Sequence, residues 1–435
     1  MKRKSFFRFL FGCFSLTLVF SLLGPPVWAQ MPLPMAKPES IGLSPERLNR
    51  ISALLKEDTE KGKLVGAVAL IARKGKIGYL ETFGYQDKLA GRKMQMDTIF
   101  RLYSMSKPIT SVALLMLLEE GKIDLGDPLD MYLPEFKDQK VAIIGKGADG
   151  KPAIVGTEPV KRKITVQDIF RHTSGLTYGF TITGHPLDLL YDSKGTGSYD
   201  QTLAELSAKL GAMPLMYQPG AMWHYGFNHD IQARLIEVVS GMPFNKFLEE
   251  RIFKPLGMKD TGFFVKKEDH PRFAHFSPVK DEKTGNMVAS PADLAFMEPQ
   301  KMLSGGGGLI STASDYLRFA TMLLNGGKFN GQQFLGPKTI AFMASDHLGP
   351  IPQEDLYSSI GPGWGYGLGV GVRITLGEST MAGSVGNYFW GGAAGTFFWN
   401  DPQEEMIAMI LIQDFNLRLH YKRVFTNLVY QALTK

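Results

Sequence analysis

Ser104-Met105-Ser106-Lys107 is the first stretch whose residue types and spacing could do chemistry. A serine and a lysine three apart at a helix start share one face, one turn apart. The serine then sits near the positive end of the helix dipole, and its backbone N–H points outward, where it can help hold an oxyanion. A serine hydroxyl is a poor nucleophile until a base takes its proton. Free Lys titrates near 10.4 and free Tyr near 10, so bringing either to about 7 costs roughly 4–5 kcal/mol. Burial lowers the lysine, and a neighbouring ammonium lowers a tyrosine. The bare pattern is weak: Ser277-Pro278-Val279-Lys280 matches it too, and a serine before a helix is by default an N-cap. Position separates the two. Ser104 precedes residues 109–120, apolar almost all round, which read as a helix buried on every side. Ser277 lies among prolines and charges.

The surrounding elements follow from local pattern. Ser44-Pro45 opens a helix whose apolar face is Leu48, Ile51 and Leu55. Residues 65–72 and 77–83 read as strands joined by Lys74-Gly75-Lys76, a hairpin. From about 124 to 300 the chain is loop-rich, with helices expected near 166–172, 203–210, 230–240 and 244–252. Residues 140–163 form an extended excursion, and Ser304 with Gly305 to Gly308 reads as a flexible break before a helix at 314–324. Strands at 395–400 and 406–413 meet at an Asp401-Pro402 turn, and 417–433 is a closing helix. The expected fold class is α/β (α+β): an antiparallel sheet built from both chain ends, flanked by helices, with an inserted mostly helical domain. The expected boundaries are 1–29 for a signal peptide, 30–125 and 300–435 for the sheet domain, and 126–299 for the insertion. A cleft is expected between the two domains.

The sequence as a whole resembles the serine β-lactamase superfamily, in the branch of class C β-lactamases and family VIII carboxylesterases. Eight ordered stretches carry the resemblance: 100–107 (FRLYSMSK), 164–176 (ITVQDIFRHTSGL), 217–220 (YQPG), Tyr225, 235–241 (LIEVVSG), 255–258 (PLGM), 304–308 (SGGGG) and 390–392 (WGG). The resemblance implies a β-lactamase/transpeptidase-like fold, with Ser104 as nucleophile and Lys107 and Tyr225 as the groups that move its proton. Which of the two is the base stays open, since they would titrate as a pair sharing one proton. Trp390, Gly391 and Gly392 fill the third motif, where β-lactamases carry Lys-Thr-Gly. The backbone N–H of Ala393 would join that of Ser104 in the oxyanion hole. Tyr225-Gly226-Phe227 lacks the amide that many relatives carry two residues after the tyrosine.

Trp390 offers no cation to a substrate carboxylate. Phe389, Trp390, Phe397 and Phe398, with Trp364 and Tyr366 nearby, suggest an apolar wall. Small neutral esters of short acyl groups are therefore the expected substrates. The alternatives are a class C-type β-lactamase or D-Ala peptidase, and, from another class, a peptidoglycan-binding pseudo-enzyme; intact Ser104, Lys107 and Tyr225 argue against the last.

Other chemistries fit less well. Residues 382–386 (AGSVG) approach a nucleophile elbow at Ser384, but no helix follows, and only His420 lies downstream as a partner. The eight His are scattered; His224 and His229 flank Tyr225 without a third ligand, and His172 falls in a capping or turn position, so no metal is expected. The formal net charge is +6, of which Lys2, Arg3, Lys4 and Arg8 carry four with no acid before residue 30, so the remainder is +2. That gives no footprint for nucleic acid or an anionic membrane. The four basic residues, the apolar run 9–23 and Val27-Trp28-Ala29 read as an export signal cut after Ala29, which places the mature chain in the periplasm or medium without a membrane span. Cys13, the one cysteine, lies inside that signal, which leaves thiol catalysis and disulfides out of the expected mature protein. No cofactor is expected.

Overall fold

The structure is a computed structural model that describes residues 31–179 and 184–434. The expected export signal, with Cys13, lies outside the described residues. The central element is an eight-stranded antiparallel sheet. Its strands, in chain order, are β1 (Gly66–Arg73), β2 (Lys76–Asp87), β3 (Arg92–Lys93), β4 (Trp364–Tyr366), β5 (Gly371–Arg373), β6 (Tyr388–Gly391), β7 (Phe397–Asp401) and β8 (Met406–Leu411). In space they run β4-β5-β6-β7-β8-β1-β2-β3. The two ends of the chain therefore meet at β1 and β8, in register from Val68 opposite Leu411 to Arg73 opposite Met406. Every residue of β1 and β8 is buried, because helices cover both faces, so these strands show no in–out alternation.

Five helices frame the sheet and site: α1 (Pro45–Glu60), α2 (Lys107–Glu119), α3 (Asn228–Ser240), α4 (Ala313–Leu324) and α5 (Arg418–Tyr430). α1 starts as read, with the Ser44 side chain accepting from the Arg47 N–H and Pro45 in the first turn. The faces are set by β7, whose side chains alternate. Phe398 points to Tyr316 of α4, and Trp399 points to Phe425 and Tyr430 of α5. α1 packs beside α5 on that second face. α2 lies against α3, and eleven of its thirteen residues are buried. At roughly 1.5–3 kcal/mol for each fully buried Leu or Ile, Ile109, Leu114, Leu115 and Leu117 fix α2 firmly in the core.

The four helices expected in the middle of the chain are present, at Val166–Phe170, Leu203–Gly211, α3 and Phe244–Leu248. The excursion at 140–163 is a β-hairpin, Lys140–Lys146 against Pro152–Pro159, with Ile143, Ile144 and Val155 exposed. A helix at Pro186–Ser193 and the short strands β4 and β5 had no clear sequence signal. Among the described residues no helix is long and apolar enough to cross a membrane.

Candidate active site

A short ribbon sets up the site. Phe100–Arg101 pairs antiparallel with Ile310–Ser311, and the Leu102 N–H continues the pairing to Leu309 O at 2.9 Å. Tyr103 then turns the chain with φ +46°, a backbone state that costs a non-glycine residue energy and that the surrounding packing must impose. One 3-10 turn, Tyr103–Ser106, leads into α2 at Lys107. Ser106 Oγ accepts the Leu309 N–H, and Tyr316 donates to Met105 O at 2.9 Å, so both sides of the turn are tied down. Ser104 is left facing a cavity of about 540 Å3.

Lys107 lies beneath that cavity and is fully buried. Its Nζ donates to Ser104 Oγ at 3.2 Å and to Gly306 O at 2.7 Å, and it sits 4.5 Å from the centre of the Tyr225 ring. Gly305 to Gly308 are therefore not the flexible break the sequence suggested. A Cβ on Gly305 would stand 2.4 Å from His229 O, and one on Gly308 would stand 2.7 Å from Ser304 O. Glycine is required for close packing under the lysine at Gly305, Gly306 and Gly308, and composition alone does not separate that use from flexibility.

Tyr225 precedes α3 and is set by aromatic packing. The His172 ring is 4.7 Å away and the Trp223 indole is stacked at 5.9 Å. His172 is fully buried, has φ +58°, and its Nδ1 accepts from Asn228 Nδ2 at 2.9 Å and from the Gly226 N–H. Burial, with Lys107 nearby, holds its pKa well below the ordinary value, so the imidazole is neutral. Gly226 is also sterically required, since a Cβ there would lie 2.2 Å from Leu176 O. Phe227 packs on Tyr178, and the neighbouring Asn228 is occupied by Ser174 and His172, so no amide replaces the missing one.

The third motif closes the other side. Tyr225, Trp390, Gly391, Gly392 and Ala393 line the same cavity as Ser104. Trp390 is 5.9 Å from Tyr225 and 5.2 Å from Tyr366. Gly392 lies on the nucleophile turn: a Cβ there would be 2.1 Å from Leu102 O, which also accepts from Thr396 Oγ1 at 3.0 Å. The apolar wall holds Phe389, Trp390 and Phe397. Phe398 does not belong to it, because the period of two sends it to α4. Trp364 and Tyr366 are buried behind the wall.

Four cleft residues lay beyond the sequence reading. Tyr178 and Asp230 stand beside Lys107 and Tyr225, and Arg418 and Lys422 reach the cavity from α5. The third motif has no cation, yet the cleft has two. Arg418 Nη1 donates to Ala393 O at 3.4 Å. Lys422 Nζ lies 4.2 Å from the Phe389 ring centre, and burial with Arg373 nearby pushes its pKa down to about 7. Of the residues set aside, Ser384 lies in a loop before β6 and no helix follows it. His224 pairs with Asp355 and Thr177, and His229 is buried against Ser111. No group of three or more metal-ligating side chains occurs among the described residues.

Comparison with known proteins places this geometry. The chain is 32% identical over 363 residues to Esterase EstB of Burkholderia gladioli, covering 79% of this chain and 84% of that protein. It is 28% identical over 397 residues to Lovastatin esterase of Penicillium rubens, covering 86% and 96%. Among solved structures it superposes on EstCE1, a hydrolase with promiscuous acyltransferase activity, with a TM-score of 0.73 and 26% identity, covering 88% of this chain and 98% of that one. The Beta-lactamase family model matches residues 51–428. The chain thus belongs to the beta-lactamase family of serine hydrolases, with its esterases among its relatives.

Proposed function

We propose that the protein cleaves short-chain carboxylic esters through an acyl-enzyme on Ser104. The observation that carries this reading is the contact of buried Lys107 Nζ with Ser104 Oγ at 3.2 Å, under the Tyr225 ring and on one cavity with Ala393. The Lys107–Tyr225 pair takes the Ser104 proton as Oγ bonds to the ester carbon. The backbone N–H groups of Ser104 and Ala393 hold the oxyanion. The alkoxide leaves with that proton as alcohol. Water then repeats the sequence on the acyl-enzyme and releases the acid. The esterase names of two relatives support an ester, as does the aromatic wall of Phe389, Trp390 and Phe397.

A second reading, a D-Ala peptidase or β-lactamase, draws support from Arg418 and Lys422, which could meet a substrate carboxylate. A panel of p-nitrophenyl acetate to hexanoate against a chromogenic cephalosporin separates the two. The ester reading expects kcat/KM on esters higher by about two orders of magnitude or more; the reverse order would establish the second reading. We also propose export to the periplasm or medium with cleavage after Ala29, on the sequence pattern of residues 1–29. N-terminal sequencing of the native protein should return Gln30; Met1 would refute it.

A further inference from the structure

Asp230, the third residue of α3, is a buried carboxylate that the mechanism above does not use. It is 1% exposed and forms no ion pair among the described residues. Oδ1 accepts from Ser304 Oγ at 2.5 Å and from the Gly306 N–H at 3.2 Å. Gly306 is also the residue whose carbonyl accepts from Lys107 Nζ at 2.7 Å. One glycine is thus gripped by the carboxylate on its N–H and by the lysine on its oxygen. The fit leaves no room, since a Cβ on Gly306 would come within 2.7 Å of Asp230 Oδ2 and 3.1 Å of the Tyr178 hydroxyl.

A buried charge is tolerated when an opposite one lies close by, and a lone one would neutralise instead. Lys107 and Asp230 supply that balance to each other. The Lys107–Tyr225 pair with one shared proton has two arrangements of the same net charge: ammonium with phenolate, or amine with phenol. A negative charge linked to Lys107 through Gly306 favours the first.

We propose that Asp230 is the counter-charge that keeps the shared proton on Lys107, so that Tyr225 is the group left to accept the proton of Ser104. This rests on the acyl-enzyme reading of Ser104. In the step, the Ser104 O–H proton passes to the Tyr225 oxygen as Oγ bonds to carbon, and returns to the leaving alkoxide. Lys107 and Asp230 keep their charges throughout, so Asp230 is a positioning residue that acts through the lysine. The other titratable groups that face it are Tyr178 and Tyr199, both held protonated because burial raises their pKa, and neighbouring His229, held neutral by burial. Burial raises Asp230 above the usual carboxylate value, opposed by Ser304, Lys107 and Gly306.

The test is the pH profile of kcat/KM on p-nitrophenyl butyrate. Asp230→Asn keeps an oxygen for Ser304 and Gly306 but removes the charge. Loss of a nearby negative charge makes both protons of the pair easier to lose, so both limbs of the profile should move to lower pH by about one unit. Asp230→Glu keeps the charge and should leave both limbs in place. Limbs unmoved in Asp230→Asn, or moved as far in Asp230→Glu, would reduce Asp230 to a structural role and overturn the proposal. Should Asp230→Asn not fold, 13C-carboxyl NMR of wild type decides: an ionised Asp230 at the activity optimum upholds the proposal, and a protonated one refutes it. Ser104→Ala run in parallel separates this from the parent reading, which fails only if that variant stays active.

Discussion

Lys107 Nζ lies 4.5 Å from the centre of the Tyr225 ring while it donates to Ser104 Oγ, so the lysine touches the nucleophile directly and the tyrosine through its π face. A cation over an aromatic face is attracted to it, and more strongly where water is excluded. Among the described residues, the Tyr225 hydroxyl has no protein hydrogen-bond partner, which leaves it free for Ser104 and the substrate.

Tyr225→Phe removes the phenol and keeps the ring stack with Trp223 and His172. Turnover of a short-chain ester should fall by about 10²–10⁴, the usual worth of a general acid or base. The melting temperature should stay within a few degrees. Steady-state kinetics beside a thermal melt checks both, and a fall of less than about tenfold would assign the base to Lys107.

Gly392→Ala tests the second oxyanion donor. Its Cβ would meet Leu102 O at 2.1 Å and Thr396 Oγ1 at 2.3 Å, which forces the third motif away from the nucleophile turn. The Ala393 N–H moves with it. Loss of one such donor costs about 10²–10³ in kcat, with a smaller effect on KM. Unchanged kcat would place the oxyanion elsewhere.

Lys422 predicts a pH-dependent preference. With its pKa near 7, the amine is charged below that pH and neutral above it. An ester that carries a free carboxylate should lose about tenfold in kcat/KM relative to a neutral ester between pH 6 and 8. In Lys422→Met the ratio should be flat. Stability has a definite sign as well. The folded pKa lies below the ordinary lysine value of 10.5, so between about pH 7 and 10.5 the unfolded chain binds more protons and stability rises with pH. Lys422→Met should therefore stabilise the protein more at pH 7 than at pH 10. A wild-type ratio that does not change with pH would remove Lys422 from substrate selection.

The elements that hold the site were legible where the signal is local. The all-apolar helix after Ser104, the hairpin around Gly75 and the strands on either side of Asp401-Pro402 each follow from a few adjacent residues. β4 and β5 were not, since three buried residues each show no period. In β7 both faces are buried, so nothing in the sequence said that Phe397 faces the cleft and Phe398 faces α4. Gly305 to Gly308 were misread because close packing and flexibility use the same residue. Asp230, Arg418 and Lys422 were missed because chain distance hides them: Asp230 meets Gly306 across 76 residues, and Arg418 meets Ala393 across 25.

The assignment of Ser104 as nucleophile is tested most directly by active-site labelling with a fluorophosphonate, followed by peptide mapping, on wild type and Ser104→Ala. A single label is expected on Ser104 in wild type and none in the variant, with esterase activity of the folded variant near background. Label on Ser384, or full activity in Ser104→Ala, would contradict it.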